Sequence, residues 1–348
     1  MDYQITKPRI EWIDTAKGIC ILLVILAHTT QHIYSNYPHV SDMLSATRMP
    51  LYYTIAGFFV SVRNKKEFIV KKINRLIVPY CFFILLGNIF GYFDSNKCNI
   101  AYKYFSPLYF ALSEDKDFKF HNIPIWFLVA LFNVYMMFMI IDIIAKKMNT
   151  NRILVKILAG CFLGFCGFLC HRTGIDIRCF IDSSLTAMPF FMFGHLMMTE
   201  TNLFRTHDTQ WKELFAAVCL ILTAIIFAQG NISYHMNNMC TSFARIYAIG
   251  FLGVTGILFL SKAIGYTPIV NNIGQYSIVF LGTHALFSRH VRWIVEIFLC
   301  INNKIIEDLT IYAIVIILSS TTCYIMLRTV PYLIAQKDFI YFKANKEN

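Results

Sequence analysis

Apolar residues fill this chain in runs near twenty residues long, the length an α-helix needs to cross a ~30 Å hydrocarbon core. Ten such runs lie at about 13–32, 43–62, 73–92, 124–145, 153–171, 181–199, 212–229, 239–261, 268–286 and 306–328. The ninth is the least hydrophobic, and the stretch from Arg289 to Ile301 reads as a separate re-entrant or interfacial helix. No polar stretch exceeds about 30 residues, so nothing is left over for a soluble domain. The pattern predicts an all-α fold: a polytopic membrane helical bundle of about ten transmembrane helices, forming one domain over 1–348.

Composition agrees with the pattern. Hydrophobic residues make up 57% of the 348, charged residues 15%, and the mean hydropathy is +0.55. Soluble proteins average nearer ~45–50% apolar and ~25% charged. The net charge of +11 would point to nucleic acid in a soluble chain. Here membrane topology explains it, because Lys and Arg collect in cytoplasmic loops. With the N-terminus inside, nineteen of the thirty-one Lys and Arg fall in cytoplasmic segments and nine in outer loops. Both termini are therefore expected in the cytoplasm. The N-terminal apolar run is too long for a signal-peptide core and lacks a small-residue cleavage site, so it reads as a retained helix. Most of the eleven cysteines sit inside apolar runs as small hydrophobes, and no cysteine or histidine spacing suggests a metal.

Three basic residues remain inside the spanning runs: Lys17, Arg48 and Arg245. The first helix also carries Asp14 and His28. Lys17 and His28 lie about 20° apart on the helical wheel, with Asp14 within about 60° of both. They share a face and are roughly 16 Å apart along the axis. Ionisable residues at membrane depth are costly and by default mark function. A neutral imidazole at His28 suits a general base.

After the second run comes Arg63-Asn64-Lys65-Lys66-Glu67-Phe68-Ile69-Val70-Lys71-Lys72-Ile73-Asn74-Arg75. Part of this is ordinary positive-inside charge. Lys72 and Arg75, three apart, project from neighbouring positions and suit phosphate binding, with Lys71 beside them. Arg48 and Arg245 suit an anionic or hydroxyl-rich ligand, or a structural carboxylate. Trp126 opens the fourth span, where an interfacial belt Trp is the plain expectation. His284 closes the ninth. Ser277, seven residues before it, would lie about 10 Å away along the axis, too far to form a nucleophile–base pair. The long outer loop, roughly 93–123, contains Glu114-Asp115-Lys116-Asp117 and is placed to cover the outer mouth of a site.

These residues together resemble the acyltransferase 3 family of membrane acyltransferases, and most of all its fucose 4-O-acetylase-like branch. The family's mark is a basic residue, ten residues, then His on the first helix, here Lys17 and His28. Its second mark is a pair of basic residues three apart before Leu and Pro, here Lys72 and Arg75 ahead of Leu76 and Pro79. Met49-Pro50-Leu51 with Gly57, Trp126-Phe127-Leu128, Pro189-Phe190-Phe191 with Gly194, and Gly274, Ser277 and His284 follow in the family's order. Ala56 stands where Ser is usual, and Arg48 where His is common.

The resemblance implies an O-acyltransferase in the bacterial inner membrane. The group moved would be acetyl or another acyl, from cytoplasmic acetyl-CoA or acyl-CoA. The acceptor would be a hydroxyl of a cell-surface sugar, polysaccharide or lipid-linked glycan precursor. It implies His28, Lys17 and Asp14 as the catalytic group, and Lys71, Lys72 and Arg75 as the donor-phosphate site. Arg48, Trp126, Arg245 and His284 fall to the acceptor. His28 would deprotonate the hydroxyl or carry the acyl group transiently, and an N-acyl acceptor stays open. The competing reading from the residues alone is a glycolipid or polyol transporter or flippase, which would want discontinuous paired helices or an internal repeat.

Overall fold

Helix α1, Glu11–Thr29, runs through the centre of the protein and touches helices from both halves of the chain. The computed structural model describes residues 10–94, 123–148, 151–204, 209–230 and 232–341. Glu11 and Asp14 in the first turn favour the start of α1 electrostatically. Its end falls at Thr29 rather than near 32, because Thr29 and Thr30 turn their hydroxyls back onto the carbonyls of Ile25 and Leu26 at 2.9 and 2.7 Å.

A short α2, Gln31–Asn36, leads into α3, Pro38–Gly57, with Pro38 in its first turn. Pro50 lies inside α3 and cannot donate to the carbonyl of Ala46, which instead accepts the Tyr234 hydroxyl at 3.4 Å. Next comes α4, Lys65–Lys72, capped by the Asn64 side chain. A π-helical turn at Ile73–Ile77 joins it to α5, Val78–Asp94. The remaining helices are α6, Trp126–Lys147; α7, Arg152–Thr173; α8, Ile181–Thr199; α9, Gln210–Phe227; and α10, Phe243–Ile264. The last three are α11, Pro268–Gln275; α12, Ser277–Ile294; and α13, Lys304–Thr329. A two-residue hairpin pairs Ile232 with Met239 between α9 and α10.

The protein is all-α and built for a membrane. Among the described residues six helices are long and apolar enough to cross one: α1, α6, α7, α9, α10 and α13. Helices α1, α3, α5, α6, α8, α10 and α12 form the core, with Tyr53, Phe83, Phe138, Phe190 and Phe191 fully buried in it. Helices α7 and α9 turn most of their apolar surface outward. Polar clasps hold these outer helices. Asp142 on α6 binds Lys156 of α7 at 3.1 Å, and that ammonium lies 3.0 Å from His195 of α8. Lys262 of α10 and Glu213 of α9 form a 2.9 Å ion pair with both side chains almost wholly buried.

One expectation changes. The run 268–286 is not one helix with a separate segment from Arg289 to Ile301. The chain breaks at Tyr276 (φ −106°, ψ 24°), which separates α11 from an α12 that continues unbroken to Ile294 and ends in a π turn at Val295–Leu299. The expected cover formed by the loop near 93–123 falls on 95–122, outside the described residues.

Candidate active site

The site is assembled against α1. Helix α11 crosses it backbone to backbone: a Cβ at Gly18 would strike the Val270 carbonyl, and one at Gly274 the Asp14 carbonyl. The crossing is locked by the Thr15 hydroxyl, which lies 2.7 Å from Asn271 Oδ1. Asn271 in turn donates to the Glu11 carbonyl at 2.9 Å. Asp14 is thereby buried, and its carboxylate holds Lys17 Nζ at 3.3 Å.

Lys17, half-exposed, faces a cavity of about 390 Å³. Lys72 and Arg75 line the same cavity, together with Tyr52, Tyr135, Gln275, Ser277 and Gln336 and an apolar wall that includes Phe127, Leu128 and Leu281. Three cations from two distant stretches of sequence therefore meet in one concave space. Lys72 Nζ sits 3.3 Å from the centre of the Tyr135 ring, a cation–π contact. The Tyr135 hydroxyl donates to the Ala56 carbonyl at 3.0 Å, which fixes the ring. Helix α4 lies ahead of the spanning run. There burial, with Arg75 and Lys71 close by, pushes the Lys72 ammonium down to about 7. Arg75 Nη1 donates to the Ala335 carbonyl at 2.7 Å. Lys71 does not join them. It is exposed and paired with Glu67 at 2.7 Å one turn back along α4.

At the other end of α1 the His28 ring is exposed and stands 5.3 Å, centre to centre, from the buried ring of His284. His284 Nδ1 is 2.8 Å from the Phe280 carbonyl, so the proton is assigned there. Its Nε2 is buried and has no hydrogen-bond partner among the described residues. Arg48 and His235 lie close enough to His28 to interact with it electrostatically. Arg48 is half-buried on α3, and its carbonyl accepts the Cys20 thiol at 3.0 Å. Trp126 is not a lipid-facing belt residue. It is buried, with its ring 5.6 Å from Phe180 and 5.5 Å from His235. Arg245 lies apart, exposed at the start of α10 and donating to Gln229 at 2.9 Å.

The cavity wall ends at Leu281, one helical turn short of His284, and at Phe127, next to Trp126. The arrangement is thus a cationic chamber at one end, an imidazole pair at the other, and α1 running between them. Sequence reasoning did not single out Tyr135, Gln336 or His235. Tyr135 is a polar-tipped residue inside an apolar run, which is a usable signal. For Gln336 and His235, both in loops, the spacing carries none.

The sequence profile of the acyltransferase 3 family, described as an acyltransferase domain, matches residues 10–328. The chain belongs to the acyltransferase 3 family. It is an enzyme, a multi-pass membrane acyltransferase that transfers groups other than aminoacyl groups. Comparison of this acyltransferase with curated proteins and with solved structures gives no significant match.

Proposed function

We propose that this acyltransferase moves an acetyl or other acyl group from cytoplasmic acyl-CoA to a hydroxyl of a surface sugar or lipid-linked glycan precursor, as in the fucose O-acetylase-like branch. The observation that carries the reading is the meeting of Lys17, Lys72 and Arg75 in one cavity. Guanidinium and ammonium groups at close quarters suit the phosphates of a coenzyme A thioester. The cavity's volume lies within the range of small-molecule sites, and its apolar wall towards Leu281 suits the thioester arm. Lys17, Lys72 and Arg75 then face the cytoplasm, with both chain termini on that side of about ten spans in a bacterial inner membrane.

His28 removes the proton of the acceptor hydroxyl as its oxygen attacks the thioester carbonyl. It returns that proton to the departing sulfur when the C–S bond breaks, giving an ester and a free thiol. His284 positions the His28 imidazole, and Asp14 orients Lys17. Arg48, His235 and Trp126 face the acceptor.

The test uses cells expressing the protein or its His28→Ala variant, with mass spectrometry of the surface glycan. The wild type is expected to add the mass of one acyl group, and the variant to add none at unchanged protein abundance. Full acylation by the variant would rule out the base assignment.

A further inference from the structure

The chain after α13 does not leave the protein. Residues 331–341 fold back as a strap against the π turn, placing Ala335 and Gln336 in the cavity wall. The strap starts with a turn in which the amides of Gln336 and Lys337 both donate to the Pro331 carbonyl, at 3.0 and 3.1 Å. Ala335 takes a left-handed conformation at φ 62°, and both it and Ile334 are fully buried. Much of the rest of the strap's apolar surface points outward: Tyr332, Phe339, Ile340 and Tyr341 are exposed.

Polar anchors therefore fix the strap's position, and they lie in the candidate donor motif itself. Asn74, almost wholly buried between Lys72 and Arg75, accepts from the amides of Phe339 and Ile340 at 3.1 and 2.8 Å. It also donates to the Ile340 carbonyl at 2.7 Å. Arg75 donates to the Ala335 carbonyl. Gln336, the next residue, lines the cavity together with Lys17, Lys72 and Arg75. The family match stops at residue 328, so this wall comes from outside the matched region.

We infer that the strap is a working part of the donor site: the Ala335 carbonyl aims Arg75, and the Gln336 carboxamide binds the amide-bearing arm of the donor. The inference rests on the reading of acyl-CoA as donor. A carboxamide offers one acceptor and two donors, which matches the alternating N–H and C=O groups of a pantetheine arm. The anchored strap then holds the arm at the cavity wall while the cations hold the phosphates.

The experiment uses the full-length protein in lipid nanodiscs. Coenzyme A binding is measured for wild type, Gln336→Ala and, as a control on the exposed side of the strap, Lys337→Ala. Expected are an approximately tenfold weaker affinity for Gln336→Ala and an unchanged one for Lys337→Ala. In turnover, Gln336→Ala should raise KM for acetyl-CoA about as much, leaving kcat and the acceptor KM within about twofold. Hydrogen exchange at 333–340 should slow in the wild type when coenzyme A is added. Equal coenzyme A affinity in Gln336→Ala and wild type, or exchange indifferent to coenzyme A that does bind, would overturn the role of the strap alone. A wild type that binds no coenzyme A would overturn the donor reading and this inference with it.

Discussion

Lys72 illustrates how far a single side chain depends on its surroundings. Its ammonium is half-buried over Tyr135, with Arg75 and Lys71 nearby, and is held down to about 7. Below that pH it is charged and attracts phosphate; above it the charge is lost. Affinity for an anionic donor should therefore fall as pH rises through 7. Between pH 6 and pH 8 the charged fraction drops about tenfold, so KM for acyl-CoA should rise by a similar factor. Lys72→Arg, charged throughout, should flatten that profile in steady-state kinetics. Lys71, its neighbour, shows the limit of reading such residues from spacing. Spacing offers Lys71 two partners, the phosphate site beside Lys72 and Glu67 one turn back at i,i+4, and the pair with Glu67 is the one that forms.

Helix packing decides whether these side chains meet at all. The approach of α11 to α1 leaves no room for a side chain at Gly274. Gly274→Val should force the two helices apart at a cost of about 1–3 kcal/mol. Thermal unfolding in a fixed detergent should show a lower Tm, and acylation should fall because Lys17 loses its place beside the cavity. The long apolar helices, though not their number as spans, were legible in the sequence because a long apolar run has few alternatives in a membrane. The expected 181–199 and the observed Ile181–Thr199 agree residue for residue. The break at Tyr276 was not legible. Gly274-Gln275-Tyr276-Ser277 contains no proline, and apolarity resumes at once on the far side. What breaks the helix is tertiary: α11 is committed to α1, while α12 must reach His28.

At the scale of the molecule the two ends of α1 define two faces. The hairpin loop joins the His28 face, where Gly230 donates to Asp42 at 2.9 Å. The start of α13, reached by the loop before it, does the same, where Asp308 accepts from the His32 amide at 2.8 Å. Cys240 and Cys300, both exposed, lie in these loops. Versions of the protein in which Cys240 or Cys300 is the sole remaining cysteine should react with a membrane-impermeant maleimide from outside intact cells. Reaction only after permeabilisation would reverse the proposed orientation. The pair between Lys262 and Glu213 bears on how such a molecule enters the bilayer. The pair lies at one end of both helices, in the first turn of α9 and the last turn of α10, and a buried charge left there without its counter-ion costs about 3–5 kcal/mol. Helices α9 and α10, consecutive in the chain, extensively packed and sharing one buried pair, are thus suited to leave the translocon together rather than one by one. Lys262→Met should lower the yield of inserted protein several-fold, and adding Glu213→Gln should restore it, as read by protease protection of newly made chains.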